Sequence, residues 1–158
     1  MTSSSSPIPL NGELRDGRHV LTLRVYYEDT DFTGIVYHAN YLRYMERGRT
    51  NYLRMHGIDH RAMFEQSGGD GPGYAFVVHS MNIDFHKPAR MDDVLTVLTS
   101  PELVRGASAT LHQRVLRGGE LLVEARVRFA VISRGRARPI PDTLRAAMQA
   151  DLEAARKS

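Results

Sequence analysis

The chain has 158 residues, of which 42% are hydrophobic and 25% are charged, and its formal net charge is +3. This composition is that of one ordinary globular domain and excludes disordered, collagen-like and coiled-coil chains. It contains no cysteine, which excludes disulfides, thiol nucleophiles and cysteine-based zinc sites. No apolar run approaches the roughly 20 residues that span a bilayer, so no integral membrane segment is expected.

The first residues are rich in Ser and Pro and predict a flexible tail over residues 1–18, followed by a single domain over 19–158. This start has neither the basic nor the apolar region of a secretory signal, so the expected location is the cytoplasm.

The first half of the chain predicts a strand, a polar loop and a long helix. Residues 19–27 are β-branched and aromatic, and residues 28–34 are rich in Asp, Thr and Gly. Apolar residues then recur at helical spacing over 38–56, and Gly57 stands at the position of a C-terminal cap. Gly48 inside this helix costs about 1 kcal/mol relative to Ala, which predicts close approach of another backbone.

The second half predicts a short helical turn over 58–64, a loop over 66–73, four strands and a final helix with Asp142 as its N-cap. The strands are expected at 74–85, 92–101, 107–116 and 121–132, and the helix at 142–156. Four strands in series favour an antiparallel meander. The sequence therefore predicts an α+β fold, with one antiparallel sheet of about five strands wrapped around one long helix.

Positive charge is concentrated in residues 101–140, which contain eight Arg and three Glu and therefore have a net charge of +5. A solvated strand face is the simplest interpretation, and a phosphate-bearing small molecule is the alternative, because Arg binds phosphate in bidentate fashion. The basic strands lack the interleaved aromatics of an RNA-binding sheet, so no nucleic acid partner is expected.

The loop before the long helix is the strongest candidate for chemistry. Glu28, Asp29 and Asp31 lie within four residues, and their mutual repulsion predicts a raised pKa for at least one of them. Gly34 lets the backbone approach a ligand, and His38 at the helix start is a candidate acid, base or orienting group. Simple turn and capping chemistry is the structural alternative for the same residues.

Other chemistries have weaker support. His56 and His60 have the i, i+4 spacing of a metal site, but Gly57 interrupts the helix between them, and no HExxH occurs. The acidic loop lacks the remainder of an EF-hand. No metal or cofactor is expected, and the serine-hydrolase, dinucleotide and P-loop motifs do not occur.

The run RVYYEDTDFTGIVYHANYL, residues 24–42, continuing through Tyr44–Glu46, resembles the hotdog-fold acyl-CoA thioesterases. The subgroup is the YbgC (Tol–Pal-associated) type of the 4-hydroxybenzoyl-CoA thioesterase family. Residues 83–85, 87–89 and 92–95 fit the family more loosely. The resemblance implies a curled sheet around a central helix, hydrolysis of acyl-CoA, and a homodimer or homotetramer with active sites at the subunit interface.

Position by position, the resemblance implies that Asp31 is the essential carboxylate and that His38 and Tyr27 belong to the same catalytic site. The backbone N–H at His38 would polarise the thioester carbonyl. Asp31 would act as nucleophile or as general base, the latter being favoured for short acyl groups.

The resemblance also implies a set of substrate-binding residues and a thiol carrier, either coenzyme A or an acyl carrier protein. Near the acyl group, Gly34 and Asn40 would shape the loop, and Phe32, which departs from the family pattern, would narrow the pocket. The coenzyme phosphates suggest three cationic candidates: Lys87, Arg90 and Arg105.

Two alternatives remain open at this stage. One is a non-catalytic protein that binds acyl-CoA or acyl carrier protein in cell-envelope or phospholipid metabolism. The other is a hotdog dehydratase, which needs a different pairing of His and acid, so the EDTD…YHANY run speaks against it.

Overall fold

The computed structural model describes residues 9–65 and 73–158. Its helices are α1 (His38–Met55), α2 (His60–Glu65) and α3 (Asp142–Lys157). Its strands are β1 (Glu13–Arg15), β2 (Arg18–Arg24), β3 (Ala75–Phe85), β4 (Val94–Val104), β5 (Ser108–Arg117), β6 (Glu120–Ser133) and β7 (Arg136–Arg138).

The strands form one antiparallel sheet in the order β1-β2-β4-β5-β6-β3, and β7 pairs with the end of β6. The α+β prediction is confirmed, and β4, β5 and β6 form the predicted meander. The prediction that β3 also belongs to this meander was wrong, because β3 pairs with β6 and not with β4. The reason is that β2 already pairs with the side of β4 that β5 leaves open. The pairing runs from His19 opposite Thr99 to Arg24 opposite Val94.

Helix α1 lies on the face of the sheet that carries the apolar side chains. Along β6, Val123, Ala125 and Val127 point to this face and are buried, as their alternation with charged residues predicts. They pack in one cluster with Tyr41, Tyr44 and Met45 of α1. Side chains nearer the end of α1 form a second cluster with α3.

Gly48 marks the closest approach of α1 to the sheet, although its neighbours are side chains and not the backbone that the sequence predicted. A Cβ there would lie 2.8 Å from Thr99 Oγ1 and 3.1 Å from Gln113 Nε2. Gln113 is fully buried, and its Nε2 donates to Met45 O and to Thr99 Oγ1, each at 2.8 Å. The glycine leaves room for this buried hydrogen-bonded group between helix and sheet.

The two chain ends differ from prediction. The predicted tail over 1–18 is too long, because Glu13–Arg15 forms β1 by pairing with β2. Asp142 is the first residue of α3 and not its cap, because Pro141 occupies the cap position with an extended ψ of 136°. The Asp142 carboxylate accepts a hydrogen bond from Arg145 instead. Residues 1–8 and most of the predicted loop, 66–72, lie outside the described residues.

Candidate active site

The loop between β2 and α1 folds into a tight hairpin. Thr30 and Val36 form an isolated β-bridge, and the Asp31 N–H donates to Ile35 O at 2.8 Å. The Gly34 N–H closes the turn on Asp31 O at 3.0 Å, with φ at 84°. Gly34 is therefore required by the left-handed turn, which places Asp31 opposite Ile35.

Thr33 orients the Asp31 carboxylate. The Thr33 N–H and hydroxyl both donate to Asp31 Oδ1, at 2.8 and 2.6 Å. These bonds, the hydroxyl first, hold the pKa of Asp31 below its usual value, so the rise predicted from carboxylate crowding does not occur at this residue. A backbone hydrogen bond from Ile35 contributes to the same lowering of the pKa.

Backbone bonds anchor the hairpin on two sides. The Val36 N–H donates to Ala89 O at 2.8 Å, and the Ala89 N–H donates to the Tyr41 hydroxyl at 2.9 Å. Asn40 is buried, and its side chain donates to Asp29 O at 2.8 Å. Asn40 thus positions the loop on the first turn of α1.

Helix α1 begins at His38 without a side-chain cap. Tyr37 occupies the cap position in an extended conformation, and no side chain bonds to the first turn. The Asn40 N–H donates to Tyr37 O at 2.8 Å, so the helix N-terminus offers a ligand its partial positive charge and the N–H groups of His38 and Ala39. The exposed His38 ring lies 4.6 Å from the ring of Tyr37 and 6.1 Å from that of Phe85.

A cavity of about 290 Å³ opens between this helix start and the segment after β3. Ile35 and Val36 of the hairpin form one wall, and His38 lies beside them on α1. Phe32 does not line this cavity in the same chain, because its side chain projects fully into solvent. Tyr27 is 82% exposed and likewise stands outside it.

Two of the three cationic candidates lie near the cavity. Lys87 lines it and forms an ion pair with Glu120 at 2.8 Å. The backbone of Arg90 bridges to Ile35 of the hairpin, and its side chain is exposed. Arg105 follows the far end of β4, about 33 Å from the strand's start at the usual rise per residue, so only a second copy could bring it to this site.

Sequence reasoning placed Thr33 beside the acyl pocket but did not predict its hydrogen bonds to Asp31, and it did not identify Phe85 as part of the site. The Asp-x-Thr spacing was an available signal for Thr33, because Asp side chains accept bonds from residues two positions on. Phe85 had no local signal, since it reaches His38 only through the pairing of β3 with β6.

Within residues 9–65 and 73–158, no cluster of three potential metal ligands occurs. Over the same ranges, no helix has the length and apolar content needed to cross a membrane.

His38 at the uncapped start of α1 lines the partly apolar cavity, whereas the Asp31 carboxylate lies in the adjoining hairpin and is not among the lining residues. These groups can bind a carbonyl, deliver a base and stabilise an oxyanion. Together with a sheet wrapped around one helix, they define the class of hotdog-fold thioesterases.

Comparison with known proteins assigns the family. Residues 25–148 match the model of the thioesterase-like superfamily, and the chain belongs to that superfamily. The chain is 40% identical to the acyl-CoA thioesterase YbgC of Haemophilus influenzae over 75% of this chain and 83% of that protein. It is 42% identical to the acyl-CoA thioester hydrolase YbgC of Escherichia coli over 66% of this chain and 75% of that protein. The resemblance predicted from residues 24–46 is confirmed.

Solved structures support the same fold. A probable thioesterase from Bartonella henselae is 41% identical, with a TM-score of 0.72 over 78% of this chain and 99% of that one. A 4-hydroxybenzoyl-CoA thioesterase complexed with 4-hydroxybenzoyl-CoA has a TM-score of 0.73 at 24% identity, over 83% of this chain and 98% of that one. At that identity the likeness concerns the fold alone.

Proposed function

We propose that this chain, an acyl-CoA thioesterase, hydrolyses its substrates with Asp31 as the catalytic carboxylate. The observation that carries the proposal is the Asp31 carboxylate in the hairpin before α1, which Thr33 holds in place and whose pKa is lowered by these hydrogen bonds. The matched relatives named as acyl-CoA thioesterases support the substrate class.

For short acyl groups we propose general-base catalysis. Oδ2 of Asp31 takes a proton from water, and the water oxygen attacks the thioester carbonyl. The backbone N–H of His38, at the start of α1, stabilises the oxyanion. Cleavage of the carbon–sulfur bond releases the thiolate, which takes the proton from Asp31 to leave free acid and thiol. In this scheme His38 orients the water, and Lys87 and Arg90 attract the coenzyme phosphates.

Thiol release from a panel of acyl-CoAs with short, long and aromatic acyl groups tests this function. We expect turnover of at least one member, with the preferred chain reporting the size of the acyl site. The same acyl groups on an acyl carrier protein identify the thiol carrier. Tight binding of acyl-CoA without any turnover would contradict the proposal and support a binding protein.

We also propose a homodimer formed through β3. This strand is 11 residues long and lies at the edge of the sheet. It leaves large apolar side chains exposed, among them Val77, Val78 and Phe85. A long apolar edge is a template for pairing, and a second copy added antiparallel would continue the sheet. Phe85 lies beside His38, so this pairing would bring the partner to the site.

Val77→Lys is expected to convert the dimer to a monomer, because a lysine in place of an apolar side chain on an edge strand opposes pairing with another edge. Light scattering at several concentrations measures the change, and we expect the dissociation constant to rise by about tenfold or more. Leu103→Lys is the matched control, since Leu103 is a similarly exposed apolar residue on β4. An unchanged mass for Val77→Lys would contradict this interface.

Three further expectations stay predictions. They are a tetramer, a contribution of Tyr27 to the catalytic site, and a cytoplasmic location.

A further inference from the structure

An ion pair lies at the edge of the cavity beside His38. Lys87 lines this cavity, and its Nζ donates to Glu120 Oε2 at 2.8 Å. The backbone brings the two residues together, because the N–H groups of His86 and Lys87 both donate to Leu122 O, at 2.8 and 3.1 Å. Glu120 lies two residues before Leu122, at the start of β6. The contact between the segment after β3 and the start of β6 therefore places this carboxylate within reach of Lys87.

Glu120 has a second cationic partner. Arg117 and Glu120 flank the two-glycine turn between β5 and β6, and the Arg117 guanidinium donates to Glu120 Oε1 at 2.5 Å. The same guanidinium donates to Asp93 Oδ2 at 2.8 Å. Hydrogen bonds from Lys87 and then Arg117 hold the pKa of Glu120 below its usual value, so this carboxylate is charged at neutral pH. Glu120 thus keeps one cationic partner when Lys87 turns away from it.

The bond between Lys87 and Glu120 can be exchanged for a bond to a ligand. The two side chains are 56% and 36% exposed, and an ion pair this open to solvent contributes little free energy. The lysine ammonium has three donors on a flexible stem, so it can turn from one acceptor to another. A phosphate monoester carries about 1.5 to 2 negative charges at pH 7, against one on a carboxylate. A phosphate at the edge of the cavity is therefore the stronger partner for Lys87.

We propose that Glu120 is a specificity-determining residue, the counter-ion of Lys87 that a phosphate of the thiol carrier displaces. This role rests on the proposed function, in which Lys87 attracts the coenzyme phosphates. On binding, Nζ of Lys87 passes from Glu120 to the phosphate, and Arg117 keeps Glu120 paired. Because the acyl-CoA and the released thiol carry the same phosphates, this competition weakens the binding of both and favours release of the thiol. A thiol without phosphate gains nothing from Lys87, so Glu120 does not affect its binding.

Calorimetric titration with free coenzyme A and with pantetheine, the part of coenzyme A that lacks phosphate, tests the role of Glu120. Glu120→Gln keeps an amide oxygen for Arg117 but removes the charge. At low ionic strength we expect this variant to bind coenzyme A about two- to fivefold more tightly than wild type, the range that one exposed ion pair allows. The gain should shrink in high salt, which screens exposed charges. The affinity for pantetheine should not change.

Two further substitutions test whether the ion pair is the cause. Lys87→Met should weaken the binding of coenzyme A, and adding Glu120→Gln to it should give no comparable gain, because the cation for which Glu120 competes is absent. Glu153→Gln is the matched control, since Glu153 is an exposed carboxylate on α3 that pairs with Arg156 at 3.7 Å. We expect this control to bind coenzyme A like wild type.

Each other outcome overturns the proposal. Unchanged or weaker binding of coenzyme A by Glu120→Gln would mean that this carboxylate does not compete with the phosphate. An equal gain for pantetheine would show a change in the shape of the cavity, and an equal gain in Glu153→Gln would show an effect of net charge. A gain that persists without Lys87, or no binding of coenzyme A by wild type, would exclude the exchange at Nζ. Binding is measured without turnover, so these results are separate from whether wild type hydrolyses acyl-CoA.

Discussion

Asp31→Asn is expected to lower kcat for acyl-CoA hydrolysis by about 10²–10⁴-fold, the usual contribution of a general base. The asparagine Oδ1 can still accept both hydrogen bonds from Thr33, so the hairpin keeps its shape. The change replaces the other carboxylate oxygen, Oδ2, by an amide nitrogen that has no lone pair to accept a proton. The loss would therefore report chemistry and not misfolding, and KM should change much less than kcat.

Glu28→Gln is the matched control for charge. Glu28 lies three residues earlier in the same exposed loop, and the substitution removes the same negative charge. We expect its kcat to stay within about twofold of wild type, because the interaction of exposed charges is screened. Comparable losses in both variants would show that loop charge, and not Asp31 as a base, drives the reaction.

The pH dependence follows from the hydrogen bonds to Asp31. A general base works only when deprotonated, so activity falls as the pH drops through its pKa. The Thr33 bonds hold the pKa of Asp31 below the usual carboxyl value, so this carboxylate remains charged in mildly acidic solution. Thr33→Val should move the acid limb of the kcat profile to higher pH, because the hydroxyl donor is the largest cause of the lowered pKa.

Gly48→Ala is expected to lower the free energy of unfolding by about 1–5 kcal/mol. The new methyl group would lie 2.8 Å from Thr99 Oγ1 and 3.0 Å from Val97 Cγ1, distances that force movement. Overpacking costs about 1–3 kcal/mol, and a broken bond of buried Gln113 adds about 1–3 kcal/mol. The better helix propensity of Ala returns only about 1 kcal/mol.

Urea unfolding followed by circular dichroism measures this change. Gly119→Ala is the control, because a Cβ at Gly119 meets nothing within 4 Å. We expect the control to be close to wild type in stability. If Gly48→Ala matched or exceeded the stability of the control, the contact between α1 and the buried Gln113 would not limit packing at this position.

Local sequence patterns were sufficient to predict the helices and strands of the second half and the long helix, but not which strands pair with each other. The helix expected at 38–56 ends one residue earlier, and the alternation in β6 identified its buried face. The pairing of β3 with β6 was missed because a strand's partner depends on which sheet edges other strands already occupy. Here β2, distant in sequence, takes the place beside β4.

The same limit applies to the candidate site. The segment that carries Asp31 and His38 was identified from a contiguous run of residues. The cavity beside it was not, because its walls come from α1, the hairpin and the segment after β3. Arg105 was chosen on charge alone, and charge in sequence does not say at which end of a strand a residue lies in space.

The full exposure of the Phe32 side chain means that the hairpin constrains the backbone at this position but not the side chain. The backbone on either side is fixed by bonds to Ala89 and within the turn, whereas the side chain of residue 32 contributes nothing to folding. We therefore expect most substitutions at this position to cost little stability, although they lie one residue from Asp31, the proposed catalytic carboxylate. Duplicated copies of such a gene can diverge in substrate range here while the scaffold stays under purifying selection, and a saturation library at residue 32 samples that divergence directly.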